Sequence, residues 1–303
     1  MIHVCEKVPK TKDCPYGIRK VEETNIFEKP CVVTLIAVPN HLKDINGSLR
    51  CVANMVNPNI DNEVNPNRRI FGLGYGNFDS KSSSFSGRIP YPDEIDEFVE
   101  TYMKNMFVEE EKKINVYEAM RRMRNITFLT YCNADTNILR IQNSMREFLE
   151  KYGYSNDEID LIFCQMCVVT ISSRNLTKID SKTVLFNFAD VSDTIAVDSQ
   201  EMRSKLRNGI SWGYDGVKFA NFGTFISCVT YGNDDHALYR YMDQNDNLGK
   251  LISTVLNTSL DNALLNCNSD TLNPITYEKI GNALESTLKD IHKDKQRVKN
   301  ANN

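Results

Sequence analysis

The chain has 303 residues, 41% of them hydrophobic and 25% charged, with 36 Lys and Arg against 40 Asp and Glu. This globular composition excludes a disordered or low-complexity chain, and the net charge of −4 excludes the basic face expected of a nucleic-acid binder. The longest apolar runs, Cys31 to Val38 and Leu161 to Ile171, fall short of the ~20 residues of a membrane span, and Met1 to Lys7 lacks a signal-peptide pattern.

Residues 1–30 read as an N-terminal extension, 31–292 as one α/β domain and 293–303 as a polar tail that frays. Runs rich in β-branched and aromatic residues predict strands over Cys31 to Val38, Arg69 to Gly72, Ile126 to Tyr131, Ile159 to Ile171, Thr183 to Phe188 and Thr224 to Thr230. Helical spacing appears between them. Ile95, Phe98, Val99, Tyr102, Met103 and Met106 share one face, with acidic residues in the first turn where the helix dipole favours them. Val116, Ala119, Met120 and Met123 predict a short helix, and Ile138 through Tyr152 another, stopped by Gly153. Two amphipathic helices are expected at Leu248 to Leu265 and Tyr277 to Ile291. Strands alternating with helices predict a mostly parallel central sheet flanked by helices.

Nine cysteines lie at positions 5, 14, 31, 51, 132, 164, 167, 228 and 267, an odd number set mostly in apolar runs. They point to a reducing, cytoplasmic compartment. Cys164 and Cys167 form a Cys-x-x-Cys within the run expected as a strand, where alternation sends the two side chains to opposite faces. Core packing is preferred there over zinc or redox chemistry.

Three strand ends carry chemistry. The strand at Ile126 runs into Cys132, with a helix soon after; such a turn projects a nucleophile from the sheet edge and frees the next backbone N–H as an oxyanion donor. The strand at Thr183 opens into a loop with Asp190 and Asp193, and the strand at Thr224 into a loop with His236. A cysteine needs a base to become a thiolate, and the base needs a carboxylate to fix its tautomer. Cys132, His236 and Asp193 fill these roles, with Asp190 as the other acid. The bland readings are a buried packing cysteine, a solvated or helix-capping histidine, and aspartates that cap a turn. Gly72-Leu-Gly-Tyr-Gly76 follows a strand but lacks the Gly-Lys-Ser/Thr ending of a P-loop, and no full ligand set accompanies Asp190 and Asp193. No cofactor or metal is assigned.

The order nucleophile, acid, histidine resembles that of the α/β-hydrolase family. Cys31-Val-Val-Thr-Leu-Ile-Ala-Val-Pro-Asn-His41 is similar to its strand and oxyanion loop, and Arg69-Ile-Phe-Gly-Leu-Gly-Tyr-Gly-Asn-Phe-Asp-Ser80 to the strand that follows. The elbow appears as Thr130-Tyr-Cys-Asn-Ala134, without the family's two glycines, and Pro39-Asn-His41 replaces its His-Gly. The resemblance implies an α/β-hydrolase-like fold and an acyl hydrolase or transferase, with the N–H groups of Asn133 and of Asn40 or His41 as oxyanion donors. Its substrate would be a small or lipid-like ester, thioester or amide. The other reading is a catalytically inactive binding or protein-interaction module on the same scaffold, favoured by the missing glycines.

Overall fold

The computed structural model of the chain describes residues 1–36, 42–58, 60, 63, 65–79, 88–173, 179–190, 193, 210–214, 217–221, 226–230, 238–269 and 271–301. A ten-stranded sheet organises them. In chain order its strands are β1 (Ile2–Lys7), β2 (Ile18–Lys20), β3 (Cys31–Leu35), β4 (Arg69–Tyr75), β7 (Ile126–Tyr131), β8 (Cys167–Ile171), β9 (Val184–Asp190), β10 (Ile210–Tyr214), β11 (Val217–Asn221) and β12 (Ile226–Thr230). The two-residue strands β5 (Val108–Glu109) and β6 (Lys112–Lys113) make a separate hairpin.

The spatial order is β10-β11-β12-β9-β8-β7-β3-β4-β1-β2. The six strands β12, β9, β8, β7, β3 and β4 pair in parallel. An antiparallel pair closes each edge. Parallel strands are covered on both faces and so read as continuous apolar runs; β3 and β8 are buried at every position.

Alternating residues feed two cores. Val33, Leu35, Phe128 and Val168 face α2 (Pro92–Phe98), α3 (Val116–Met123), α4 (Asp135–Lys151) and α5 (Asn156–Phe163). Val32, Leu129, Val169 and Phe186 face α1 (Leu42–Val56), α6 (Leu238–Tyr241), α7 (Asn247–Cys267) and α8 (Tyr277–Ala301). On α4 the stripe Ile138, Ile141, Met145, Phe148 and Leu149 is buried, as its spacing demands. No described helix is long and apolar enough to cross a membrane.

Three sequence readings change. The run Ile159 to Ile171 is not one strand: α5 ends at Phe163 and β8 starts at Cys167, so Cys164 closes a helix while Cys167 opens a strand. Residues 1–30 contribute β1 and β2 to the central sheet. Residues 293–301 continue α8. Gly72 and Gly74 lie inside β4, where Gly72 serves packing rather than phosphate: a Cβ there would sit 2.9 Å from Ile45 Cγ2 of α1.

Candidate functional site

Among the parallel strands, taken as they occur along the chain, the second lies outside the first and the rest follow on the other side. The direction of winding therefore reverses between β3 and β7. In open α/β sheets this reversal leaves a crevice beyond the carboxyl ends of the two strands, where ligands bind. β3 and β7 run in register, Leu35 beside Thr130, and Cys132 stands two residues past that pair. Asn40 and His41 follow β3 and lie outside the described residues.

Cys132 has φ +57°. Tyr131 before it is extended, and Cys132–Ala134 form a single 3₁₀ turn that leads directly into α4. The left-handed region costs a side-chain-bearing residue roughly 1–2 kcal/mol, and such strain persists where the surroundings over-determine it, often at functional sites. Here the strand end and the helix start fix the turn from both sides. The cysteine is half-buried, next to the amino end of a 17-residue helix, whose dipole favours a thiolate. Asn133 supplies the next backbone N–H, and its carbonyl accepts from Thr136 Oγ1 at 2.7 Å.

β8 ends in the same way. Ser172 has φ +55° and is fully buried; its N–H reaches Phe188 O at 2.8 Å, and its Oγ donates to Asp193 Oδ2 at 2.5 Å. Tyr241 Oη donates to the same carboxylate oxygen at 2.5 Å and accepts from Asp190 N–H at 3.3 Å. Burial, reinforced by the Asp193 carboxylate, pushes the Tyr241 phenol well above its ordinary value. Next door, Ser173 Oγ donates to Asp135 Oδ2 at 2.5 Å. Asp135, Asp190 and Asp193 are each 1% exposed, so three buried carboxyl groups line the carboxyl edge of β7, β8 and β9.

Of the residues singled out from the sequence, Cys132, Asn133 and Asp193 thus lie at this one edge, with Asp193 two strands along from Cys132. His236, Asn40 and His41 lie outside the described residues. Asp135, Ser172, Ser173 and Tyr241 were not signalled by any motif. Two buried polar atoms near the same edge, Thr130 Oγ1 and Asn137 Oδ1, have no hydrogen-bond partner among the described residues. Among the described residues no cluster of His, Cys, Asp and Glu is placed to hold a metal ion. Comparison with protein-family models and with curated proteins finds no match to this chain.

Proposed function

We propose that the chain is an α/β-hydrolase-like acyl hydrolase or transferase with Cys132 as its nucleophile. The observation that carries this reading is the left-handed backbone of Cys132 at a strand-to-helix turn beside the reversal of the sheet. His236 takes the thiol proton and later returns it to the leaving group, and Asp193 orients the imidazole. The thiolate attacks the carbonyl of a small or lipid-like ester, thioester or amide. A thioester forms as the leaving group departs, and water or another acceptor then takes the acyl group. Asn133 N–H, with that of Asn40 or His41, stabilises the oxyanion in both steps. A thiol nucleophile of this kind suits a reducing compartment such as the cytoplasm.

The test is alkylation of the whole chain with iodoacetamide, mapped thiol by thiol by mass spectrometry across pH. Cys132 is expected to react fastest near pH 7, and His236→Ala to slow it at least tenfold while leaving the other thiols unchanged. A Cys132 that reacts no faster than Cys14, or that is indifferent to His236→Ala, overturns the assignment.

A second reading has its own observation. Asp193 Oδ2 already accepts two hydroxyl donors, Ser172 and Tyr241, an arrangement suited to holding strand ends together. On that basis the scaffold is a catalytically inactive binding or protein-interaction module. Folded Cys132→Ala and His236→Ala variants would then retain full biological activity, and their loss of it would exclude this reading.

A further inference from the structure

A cavity of about 740 Å³ lies at the end of the sheet opposite Cys132. It opens where β3 and β7 begin, against the segment before β3, the β5–β6 hairpin and the carboxyl ends of α3 and α7. The volume falls within the range of small-molecule sites. Its inner wall is apolar: Phe27, Met106 and Val108 are 2%, 4% and 3% exposed, and Tyr102 packs against the same core. Asn125, also buried, fixes the floor by donating to the carbonyls of Phe27 and Glu28, each at 3.1 Å.

The charged wall is unequal. Among the described residues that line it, five carboxylates, Glu28, Glu109, Glu110, Glu111 and Glu118, stand against three cations, Lys104, Arg121 and Arg122. All three cations are engaged. Lys104 pairs with Glu111 at 2.6 Å, and Arg122 with Glu109 at 2.5 Å and Glu118 at 2.9 Å. Arg121 pairs with Glu118 at 3.0 Å and donates to the carbonyls of Asn266 and Ser269. Glu28 and Glu110 have no ion pair among the described residues. Among the described residues an anion entering the cavity would meet one uncommitted donor, the buried Nε of Arg121, against an excess of carboxylates, whereas a cation would meet two carboxylates without an ion pair beside aromatic rings.

We propose that this cavity binds an organic amine, a primary ammonium carried on an apolar or aromatic body. The body packs on Phe27, Tyr102 and Val108, and the ammonium faces the carboxylates of Glu28 and Glu110. Aromatic rings add to the attraction for a cation. Phe27, Tyr102 and Val108 set the apolar part of the ligand; the carboxylates set its charge. Asn125 at this end of β7 and Cys132 at the other are seven residues apart, roughly 23 Å along an extended strand, so the site is independent of the chemistry assigned to Cys132.

The experiment uses the full chain with tyramine as probe and 3-(4-hydroxyphenyl)propionate as its oppositely charged counterpart, read by calorimetric titration and by thermal melting. Tyramine is expected to bind and to raise the melting midpoint with concentration, and the carboxylate to do neither. The double variant Glu28→Gln/Glu110→Gln changes two exposed side chains and is expected to melt like the parent while binding tyramine at least tenfold more weakly. No tyramine binding at millimolar concentration, equal binding of the two probes, or unchanged binding in the double variant overturns the proposal. A Cys132→Ala variant is expected to bind tyramine like the parent.

Discussion

The left-handed turn at Cys132 can be tested by comparing two substitutions at the same position. Cys132→Ala and Cys132→Gly both remove the sulfur and whatever it contacts, so their difference isolates the backbone. In a helix or strand, glycine is less stable than alanine by roughly 0.5–1 kcal/mol because it has more freedom to lose. At φ +57° alanine instead carries a left-handed cost of roughly 1–2 kcal/mol, and glycine carries almost none. Taken at the centres of the two ranges, the difference leaves the glycine variant more stable than the alanine variant by about 0.75 kcal/mol, the reverse of the usual order. With an m-value of about 3 kcal/mol/M for a chain of this size, urea unfolding should show the glycine variant's midpoint higher by about 0.2–0.3 M. If alanine is equal or better, the turn is not left-handed in solution and the elbow argument for Cys132 fails with it.

Tyr241→Phe removes a donor from Asp193 and an acceptor from the Asp190 N–H, both in buried surroundings. It should cost about 2–3 kcal/mol in urea unfolding, and a change below about 0.5 kcal/mol would show that the cluster holds nothing together. Gly249→Ala in α7 would place a Cβ 1.9 Å from the Asp243 carbonyl oxygen, a backbone clash expected to cost about 3 kcal/mol or more. Gly47→Ala in α1 meets nothing within 4 Å and should stabilise by about 0.5–1 kcal/mol; melts that fail to separate these two variants would contradict the packing of the helices. Glu94, held by the Arg88 guanidinium through contacts of 2.7 and 2.8 Å, has its carboxyl lowered to about 2 against the opposing effect of burial. A depressed carboxyl contributes stability that is complete above its unfolded value of about 4.3 and is lost as pH falls toward 2. The parent's advantage over Glu94→Gln in unfolding should therefore fade across that interval, and an advantage that is flat with pH would count against the pair.

The buried parallel strands were the most legible part of the fold, because covering both faces leaves uninterrupted apolar runs. The strand at Ile126 to Tyr131 has the bounds its residues predict. The run ending at Ile171 misled because an apolar stretch of helix flows into an apolar strand without a polar break, and periodicity cannot divide such a run. The dividing signal was nonetheless present upstream: Ser155 and Glu158 form a capping box, with Ser155 Oγ accepting from Glu158 N–H and Glu158 Oε2 accepting from Ser155 N–H. β1 was hidden for the opposite reason. His3, Glu6 and Lys7 make it look like an exposed leader, yet all three are buried, and Glu6 is compensated by Arg19 and Arg69 from neighbouring strands. At the site, the position of Cys132 was legible from the strand end, but its left-handed backbone was not, since no glycine marks it. Ser172 and Tyr241 stand 21 and 48 residues from Asp193 in sequence. Only the parallel order of β7, β8 and β9 and the return of α6 bring them together, so no local pattern announces the cluster.

The surrounding thiols determine how sharply alkylation can distinguish the two functional readings. Burial pushes the Cys5 thiol up to about 12 and raises Cys31, Cys51, Cys164 and Cys167 as well. Cys267 is raised too, and its sulfur donates to Asn125 Oδ1 at 3.3 Å. The thiolate is the reacting species, so these six should label slowly near neutral pH. Among the cysteines whose side chains are described the comparison then reduces to Cys132 against Cys14, whose sulfur donates to the Ile18 carbonyl at 3.0 Å in a surface loop with no strand-end strain. A nucleophile held by a helix dipole and a base should outpace that loop thiol most strongly at low pH, and the gap should close as pH rises. A packing cysteine at the same turn gives a rate ratio that does not change with pH. The slope of that ratio, rather than the bare fact of labelling, separates a catalytic elbow from a binding scaffold that kept its cysteine.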